Sequence, residues 1–287
     1  MAQSPAPLPP AIFANDLSMR YPSRRPDSRD LVVNGVSMTL AQGEVLAVVG
    51  ETGSGKSTLA AAIAGAAETG EPRSPVIHGG TLRVLGYGIK GISDRKRDLL
   101  TLRVGYLPQD AGALLSARLT VAENVAAPIY ERDRRFNQLD AGEAVATLID
   151  SVRLPLGIMS KYPHEISRGQ RQRVAMARAL ILEPALLVAD DPTSGIDATV
   201  RGTILDIVRE LQAKRQFSAL VVASDLEEVR GITDQVLVLH RGTVVGQGEV
   251  DAVLDAPRHP YVEGLARARD HAVKSTNRKA LRDRAAH

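Results

Sequence analysis

The chain has no cysteine and no tryptophan, and only 3% of its residues are aromatic. Without cysteine, disulfides, thiolate-held metals and cysteine-ligated iron–sulfur clusters are excluded, and a reducing compartment fits the composition. No stretch approaches the roughly 20 consecutive apolar residues that a membrane-crossing helix needs. The first ten residues, MAQSPAPLPP, lack the positive start and apolar run of a secretory signal. The expectation is a cytoplasmic protein that meets a membrane, on its inner face, only through partners. Neither sign of charge predominates: 36 basic residues stand against 33 acidic ones, a formal net charge of +3. A pI near 9.2 leaves room for weak attraction to anionic lipid or nucleic acid, but no nucleic-acid partner is expected.

What is present suits a folded protein: 287 residues, 44% of them apolar, enough for one large or two modest domains. The Pro-rich residues 1–10 read as a flexible leader, with order beginning near Ile12. Strands are expected at Ile12–Met19 and Leu31–Leu40, around a polar loop Tyr21–Asp30. Further strands are expected at Val45–Val49, Thr81–Leu85, Val104–Leu107, Ala185–Ala189, Leu220–Ala223 and Val236–Leu239. Helical patterns lie at Lys56–Ala67, Ala141–Val152, Arg168–Leu182, Thr199–Lys214 and Asp225–Gly231. A β-rich opening followed by alternating strands and helices implies an α/β fold: a parallel core sheet with a small antiparallel sheet attached. From Arg267 the chain is basic and reads as a solvated tail rather than a lipid-binding arm.

The strongest chemical signal is Gly50-Glu51-Thr52-Gly53-Ser54-Gly55-Lys56-Ser57-Thr58. It fits G-x-x-x-x-G-K-[ST] and falls where that pattern needs to fall, after an apolar strand and before a helix. The glycines let backbone N–H groups curl around a polyphosphate, and the helix N-terminus adds its positive end. Lys56 would reach the β and γ phosphates, and the Ser57 hydroxyl would ligate Mg²⁺. ATP and Mg²⁺ are therefore the expected ligands. Such a loop also requires an acid at the end of a second buried strand, and Ala185-Leu186-Leu187-Val188-Ala189-Asp190-Asp191 supplies one. Asp190 is the expected metal-side carboxylate, set against the plainer reading of two acids in a surface turn.

Between these lies Ile166-Ser167-Arg168-Gly169-Gln170-Arg171-Gln172-Arg173, opening a helix. By itself this capped amphipathic helix is equally consistent with ordinary packing. Together with the two motifs above, however, the segment resembles the signature of ABC ATPases, whose usual core is Leu-Ser-Gly-Gly-Gln. That resemblance implies a P-loop fold with an inserted helical subdomain, here about 110–167, within an ATP-binding domain over about 11–250. It also implies that Ser167, Arg168, Gly169 and Gln170 meet the γ-phosphate of ATP held by an opposite subunit. Gln109 is similar to the glutamine that senses Mg²⁺ and the membrane partner. Ser194-Gly195-Ile196-Asp197 resembles the loop that crosses the dimer interface, which assigns Asp197 to nucleotide binding. Tyr21 resembles the aromatic that stacks on adenine; packing on the small sheet is its alternative.

Tyr162-Pro163-His164-Glu165 and Pro257-Arg258-His259-Pro260-Tyr261 look like the dipeptide, oligopeptide and nickel importer ATPases, the second in an extension over 251–266 before a basic tail at 267–287. His259 and Tyr261 read as structural there rather than as ligands. The pattern breaks at three places. Asp191 stands where most members carry a water-polarising Glu, Ser224 where they carry a switch His, and Arg168 where they carry the first signature Gly. Arg168 could strengthen anion binding, obstruct it, or turn away into an ion pair. Asp191 and Ser224 fall on the same nucleotide site, which implies a subunit that binds ATP well, hydrolyses it poorly at its own site, and pairs with a different, competent ATPase. As an importer component it would also have two permease subunits and an extracytoplasmic solute-binding protein as partners. The alternative is a non-transport assembly factor, such as a carbon–phosphorus lyase accessory protein.

Overall fold

The structure, a computed structural model, describes residues 9–22 and 31–270. In chain order the strands are β1 (Ile12–Arg20), β2 (Val33–Leu40), β3 (Val45–Gly50), β4 (Val76–Val84), β5 (Tyr87–Gly88), β6 (Val104–Leu107), β7 (Leu186–Asp190), β8 (Ser218–Ala223), β9 (Gln235–His240) and β10 (Thr243–Glu249). The α-helices are α1 (Lys56–Ile63), α2 (Asp94–Thr101), α3 (Val121–Arg132), α4 (Gln138–Ser151), α5 (Arg168–Leu180), α6 (Ala198–Arg215), α7 (Leu226–Val229) and α8 (Val250–Asp255); residues 260–270 are also helical.

Two sheets organise the molecule. One is antiparallel, in the order β2-β1-β4-β5; the other is six-stranded, in the order β10-β9-β3-β8-β7-β6, and parallel except where β10 pairs with β9. Strands β7 and β8 are buried along their whole length, and their sequences, LLVAD and SALVVA, run apolar without alternation because both faces are covered. Leu186, Val188, Leu220 and Val222 face a core shared with α1 and the antiparallel sheet. Leu187, Ala189, Ala219 and Val221 face the helices α3 to α6. In β1 and β2 burial alternates, as expected where one face is left to solvent.

Capping explains several helix starts. Thr120 and Glu123 form a reciprocal capping box on α3, Asn137 accepts from two amides of α4, and Ser167 and Gln170 form a second box on α5. The Ala-rich stretch does not stay helical to Ala67: α1 ends at Ile63 because Gly65 follows with φ +90°. Strand β4 begins at Val76, five residues before the expected start, running through Gly79-Gly80. Gly80 earns its place there, since a Cβ would sit 2.1 Å from the Asp16 carbonyl oxygen. Arg267 does not begin a tail: residues 267–270 continue the last helix, and Arg269 pairs with Asp251, Asp255 and Asp270. Most of the leader (1–8), the loop 23–30 and the tail from 271 lie outside the described residues.

Candidate functional site

The parallel register decides what meets at the edge of the sheet. Val49 of β3 lies beside Ala223 of β8, and Asp190 of β7 beside Val222. The segments that leave these strands therefore emerge side by side at their C-terminal ends, where open α/β sheets place ligands. There Gly50–Thr58, Asp190-Asp191, Ser224 and, after β6, Gln109 converge. A cleft of about 170 Å³ is lined by Thr52, Gly53, Gly55, Lys56, Ser57, Thr58, Gln109, Asp190, Asp191 and Ser224, together with Val32 and Val222.

The loop's glycines are needed for two different reasons. Gly50 and Gly55 are pressed against backbone: a Cβ would come within 2.1 Å of the Leu239 oxygen at the first and 2.5 Å of the Val32 oxygen at the second. Gly53 has φ +81° with nothing near its missing Cβ, leaving open space beside the backbone. The Lys56 ammonium donates to the Gly50 and Glu51 carbonyl oxygens at 2.7 and 2.8 Å, folded onto the loop it belongs to. Burial pushes its pKa down, against the opposing pull of Asp190, Asp191 and Glu51.

Ser57 Oγ donates to Asp190 Oδ1 at 3.1 Å. Asp190 is 2% exposed, and burial, followed by the charge of Asp191, pushes its carboxyl pKa up against the Ser57 hydrogen bond and Lys56. Next to it, Asp191 adopts φ +50° and anchors its amide on the Val222 oxygen at 3.0 Å. Its Oδ2 accepts from Ser224 Oγ at 3.1 Å, so the two departures from the family pattern are bonded to each other. Burial raises the Asp191 pKa as well, with Ser224 working against it. Tyr21, 39% exposed, reaches the same region, its hydroxyl 3.1 Å from Thr58 Oγ1.

Ser167, Arg168, Gly169, Gln170 and Asp197 do not line this cleft. Ser167 and Gln170 spend their side chains on each other's amides at the head of α5, and Asp197 stands at the N-cap of α6 without a side-chain cap bond. Of the three orientations open to Arg168, the structure shows an ion pair: Nη2 donates to Asp110 Oδ1 at 2.6 Å, and the guanidinium lies so close to Gly195 that a Cβ there would overlap it. Arg168 thus touches the residue after Gln109 and the loop after Asp190-Asp191 together.

Three supporting groups carry no sequence motif. Buried Gln172 accepts from Gly112 N–H and donates to the Pro192 oxygen, both at 3.0 Å. Glu228 accepts from Thr193 Oγ1 and from Arg201 Nη1, both at 2.9 Å. His240 sits beside Glu51 of the loop. Gln172 lies only three residues past the signature glycine, but nothing in its spacing marks it as buried and bridging.

A doubly covered parallel sheet with a glycine loop, a helix start, a lysine and a hydroxyl–carboxylate pair at its strand ends is the architecture of a P-loop NTPase. Within that class the chain belongs to the ABC transporter family, whose profile matches residues 33–194. The oligopeptide transport ATP-binding protein OppF of Salmonella typhimurium is 35% identical over 237 residues, 82% of this chain and 68% of its own. The di/tripeptide transport ATP-binding protein DppF of Pseudomonas aeruginosa is 34% identical over 261 residues, 90% and 78% of the two chains. A dimeric bacterial ABC transporter cassette superposes with a TM-score of 0.73 at 22% identity, over 83% of this chain and 98% of that one. A component of the ABC transporter complex cbiONQ from Clostridium perfringens gives 0.73 at 23%, over 86% and 91%. By family and by fold the chain is an ATP-binding cassette ATPase.

Proposed function

We propose that this chain is the energy-coupling ATPase subunit of an importer for peptides or a related solute. The observation that carries the reading is the loop Gly50–Thr58 with Lys56 inside it and Ser57 bonded to Asp190, set at the strand ends of a family cassette. Peptide transport is what the printed names of the similar proteins state of those proteins, and Pro257–Tyr261 points in the same direction.

The loop amides and the N-terminus of α1 bind the triphosphate, and Lys56 leaves its two carbonyl partners to reach it. The donor set of Ser57 hydroxyl, Asp190 carboxylate and Gln109 amide oxygen is all oxygen, which suits a hard divalent ion shared with phosphates; Mg²⁺ held there would neutralise charge developing on the transferred phosphate. Among the described residues no cluster of three or more His, Asp or Glu gathers as a metal site, so the ion would depend on the nucleotide's own oxygens for its remaining ligands. Tyr21 stacks on the base. Asp191 takes the water-orienting role, but its carboxylate is one methylene shorter than Glu and one of its oxygens already accepts from Ser224, so hydrolysis at this site is slow. Ser167, Gly169 and Gln170, outside this cleft, serve a second nucleotide held by a different, catalytically competent ATPase subunit, with Asp197 at the junction between the two.

Two permease subunits dock on the face around α3, where a groove of about 450 Å³ runs past Pro108, Leu115, Pro128 and Pro184, beside Leu114, 63% exposed. A solute-binding protein completes the system. Among the described residues no helix is long and apolar enough to cross a membrane, and the subunit works from the cytoplasmic face. Calorimetry with Mg-ATP tests the core of this reading: micromolar affinity that disappears in Lys56→Ala and without Mg²⁺ is expected, and well-folded protein with no such affinity, alone or with its partner, overturns it.

A further inference from the structure

Among the described residues, His240 joins the C-terminal segment to the phosphate loop. The loop rests on the end of β9 and the turn that follows: Gly50 is packed against the Leu239 oxygen, and Gly242 N–H donates to the Ser54 oxygen at 3.0 Å. Between these two contacts His240 brings Nδ1 to 3.1 Å from Glu51 Oε1. That nitrogen is buried and makes no hydrogen bond, so the packing around the imidazole decides how closely it meets the carboxylate. The segment Pro257–Tyr261 supplies part of that packing. The Tyr261 ring stacks on His240 with centroids 4.8 Å apart and planes 24° apart, and the His259 ring packs on it at 5.1 Å and 53°. Tyr261 N–H donates to His259 Nδ1 at 3.1 Å, which ties the His259 ring to the backbone of the segment. Val262 anchors the segment among Val250 and Leu254.

Glu51 is an acid in a loop built to receive a polyphosphate, and its position relative to those phosphates is an electrostatic liability. A carboxylate held to one side by a neighbouring imidazole opposes the ligand less than one that is free to swing over the loop. The charge of Glu51 is felt as far as Tyr261, whose hydroxyl pKa is raised by burial and then by that carboxylate.

We infer that His240, held between Glu51 and the rings of His259 and Tyr261, is a positioning residue through which the C-terminal segment sets the geometry of the phosphate loop and so the affinity for nucleotide. The inference rests on the reading of Gly50–Thr58 as the nucleotide site.

The test is calorimetry of the full-length chain with a slowly hydrolysed Mg-ATP analogue, alongside steady-state kinetics with ATP. Tyr261→Phe keeps the ring and is expected to bind as wild type does. Tyr261→Ala is expected to bind about tenfold more weakly, raising KM while kcat at saturation stays within about twofold, the split that marks a loss of binding rather than of chemistry. His240→Leu, which retains an apolar contact for the rings but has no nitrogen facing Glu51, is expected to lose as much, and stands in if Tyr261→Ala does not fold. In a Glu51→Gln background the Tyr261→Ala loss should shrink to about twofold or less, because the cycle removes the carboxylate through which the segment acts. Wild-type affinity in both Tyr261→Ala and His240→Leu, or an undiminished loss in the Glu51→Gln background, overturns the inference while leaving the nucleotide site intact. A wild-type chain without Mg-ATP affinity overturns both.

Discussion

At the scale of single residues, the Asp191–Ser224 hydrogen bond makes the two substitutions one feature. Replacing either alone breaks a pair; replacing both restores reach and an imidazole. Single-turnover hydrolysis in the assembled complex should therefore rise for Asp191→Glu with Ser224→His by up to about a hundredfold, the scale of a 1 Å misplacement. Neither single variant should match the double, and an unchanged double variant refutes the idea of an impaired site. Asp190 carries a second prediction. Its folded-state pKa is raised, so as pH climbs the unfolded chain releases its proton first, and stability falls between the unfolded and folded values. At neutral pH the nucleotide-free protein bears that cost, and Asp190→Asn removes it. Thermal unfolding should show a melting temperature higher by about 2–4 °C, the shift about 1 kcal/mol produces in a domain of this size, while Mg²⁺-dependent nucleotide affinity is lost. Because burial raises both Asp190 and Asp191 in the nucleotide-free protein, the acid limb of the kcat/KM profile, which reports the free enzyme, should lie above the ordinary carboxylate range.

Residues tied to a local pattern were legible in the sequence, and residues tied to a distant partner were not. Lys56, Ser57 and Asp190 could be named because a strand, a turn and a helix fix their spacing. Gln172 pairs across 60 and 20 positions with Gly112 and Pro192, and His240 meets rings some twenty residues later; no periodicity encodes such meetings. Arg168 was open for the same reason, since Asp110, 58 positions away, decides where it turns.

At the scale of elements, α5 is bolted rather than merely packed. Gln172→Ala would strand a buried amide and a buried carbonyl, each costing about 1–3 kcal/mol when unpaired, so equilibrium unfolding should show a loss of roughly 2–6 kcal/mol. A value below about 0.5 kcal/mol would mean that water replaces the side chain. Gly50→Ala, with its Cβ 2.1 Å from backbone, should abolish nucleotide binding by displacing the loop from β9 even if the chain still folds. Element types followed from pattern, while their ends followed from particular glycines. Gly65 cut α1 short, and Gly79-Gly80 interrupts the strand pattern, which is readable in the sequence only from Thr81. Helix α2, DRKRDLLT, is so polar that only Leu100 is buried, and it offered no apolar stripe to read.

At the scale of the whole molecule, one chain supplies a loop for one nucleotide and a signature segment outside that cleft. Affinity purification of the tagged protein from membranes, followed by mass spectrometry, should recover two permeases and a second ATPase carrying Glu and His at the positions corresponding to Asp191 and Ser224. Recovery of this chain alone with phosphonate-processing enzymes would favour the assembly-factor reading.

The amide of Gln172, gripping Gly112 with one end and Pro192 with the other, ties the segment after β6 to the turn after β7 across the body of α5. In the importer proposed above, that tie would carry a displacement entering near Leu114 toward the loop that ends at Gly195, as a pushrod does between two levers.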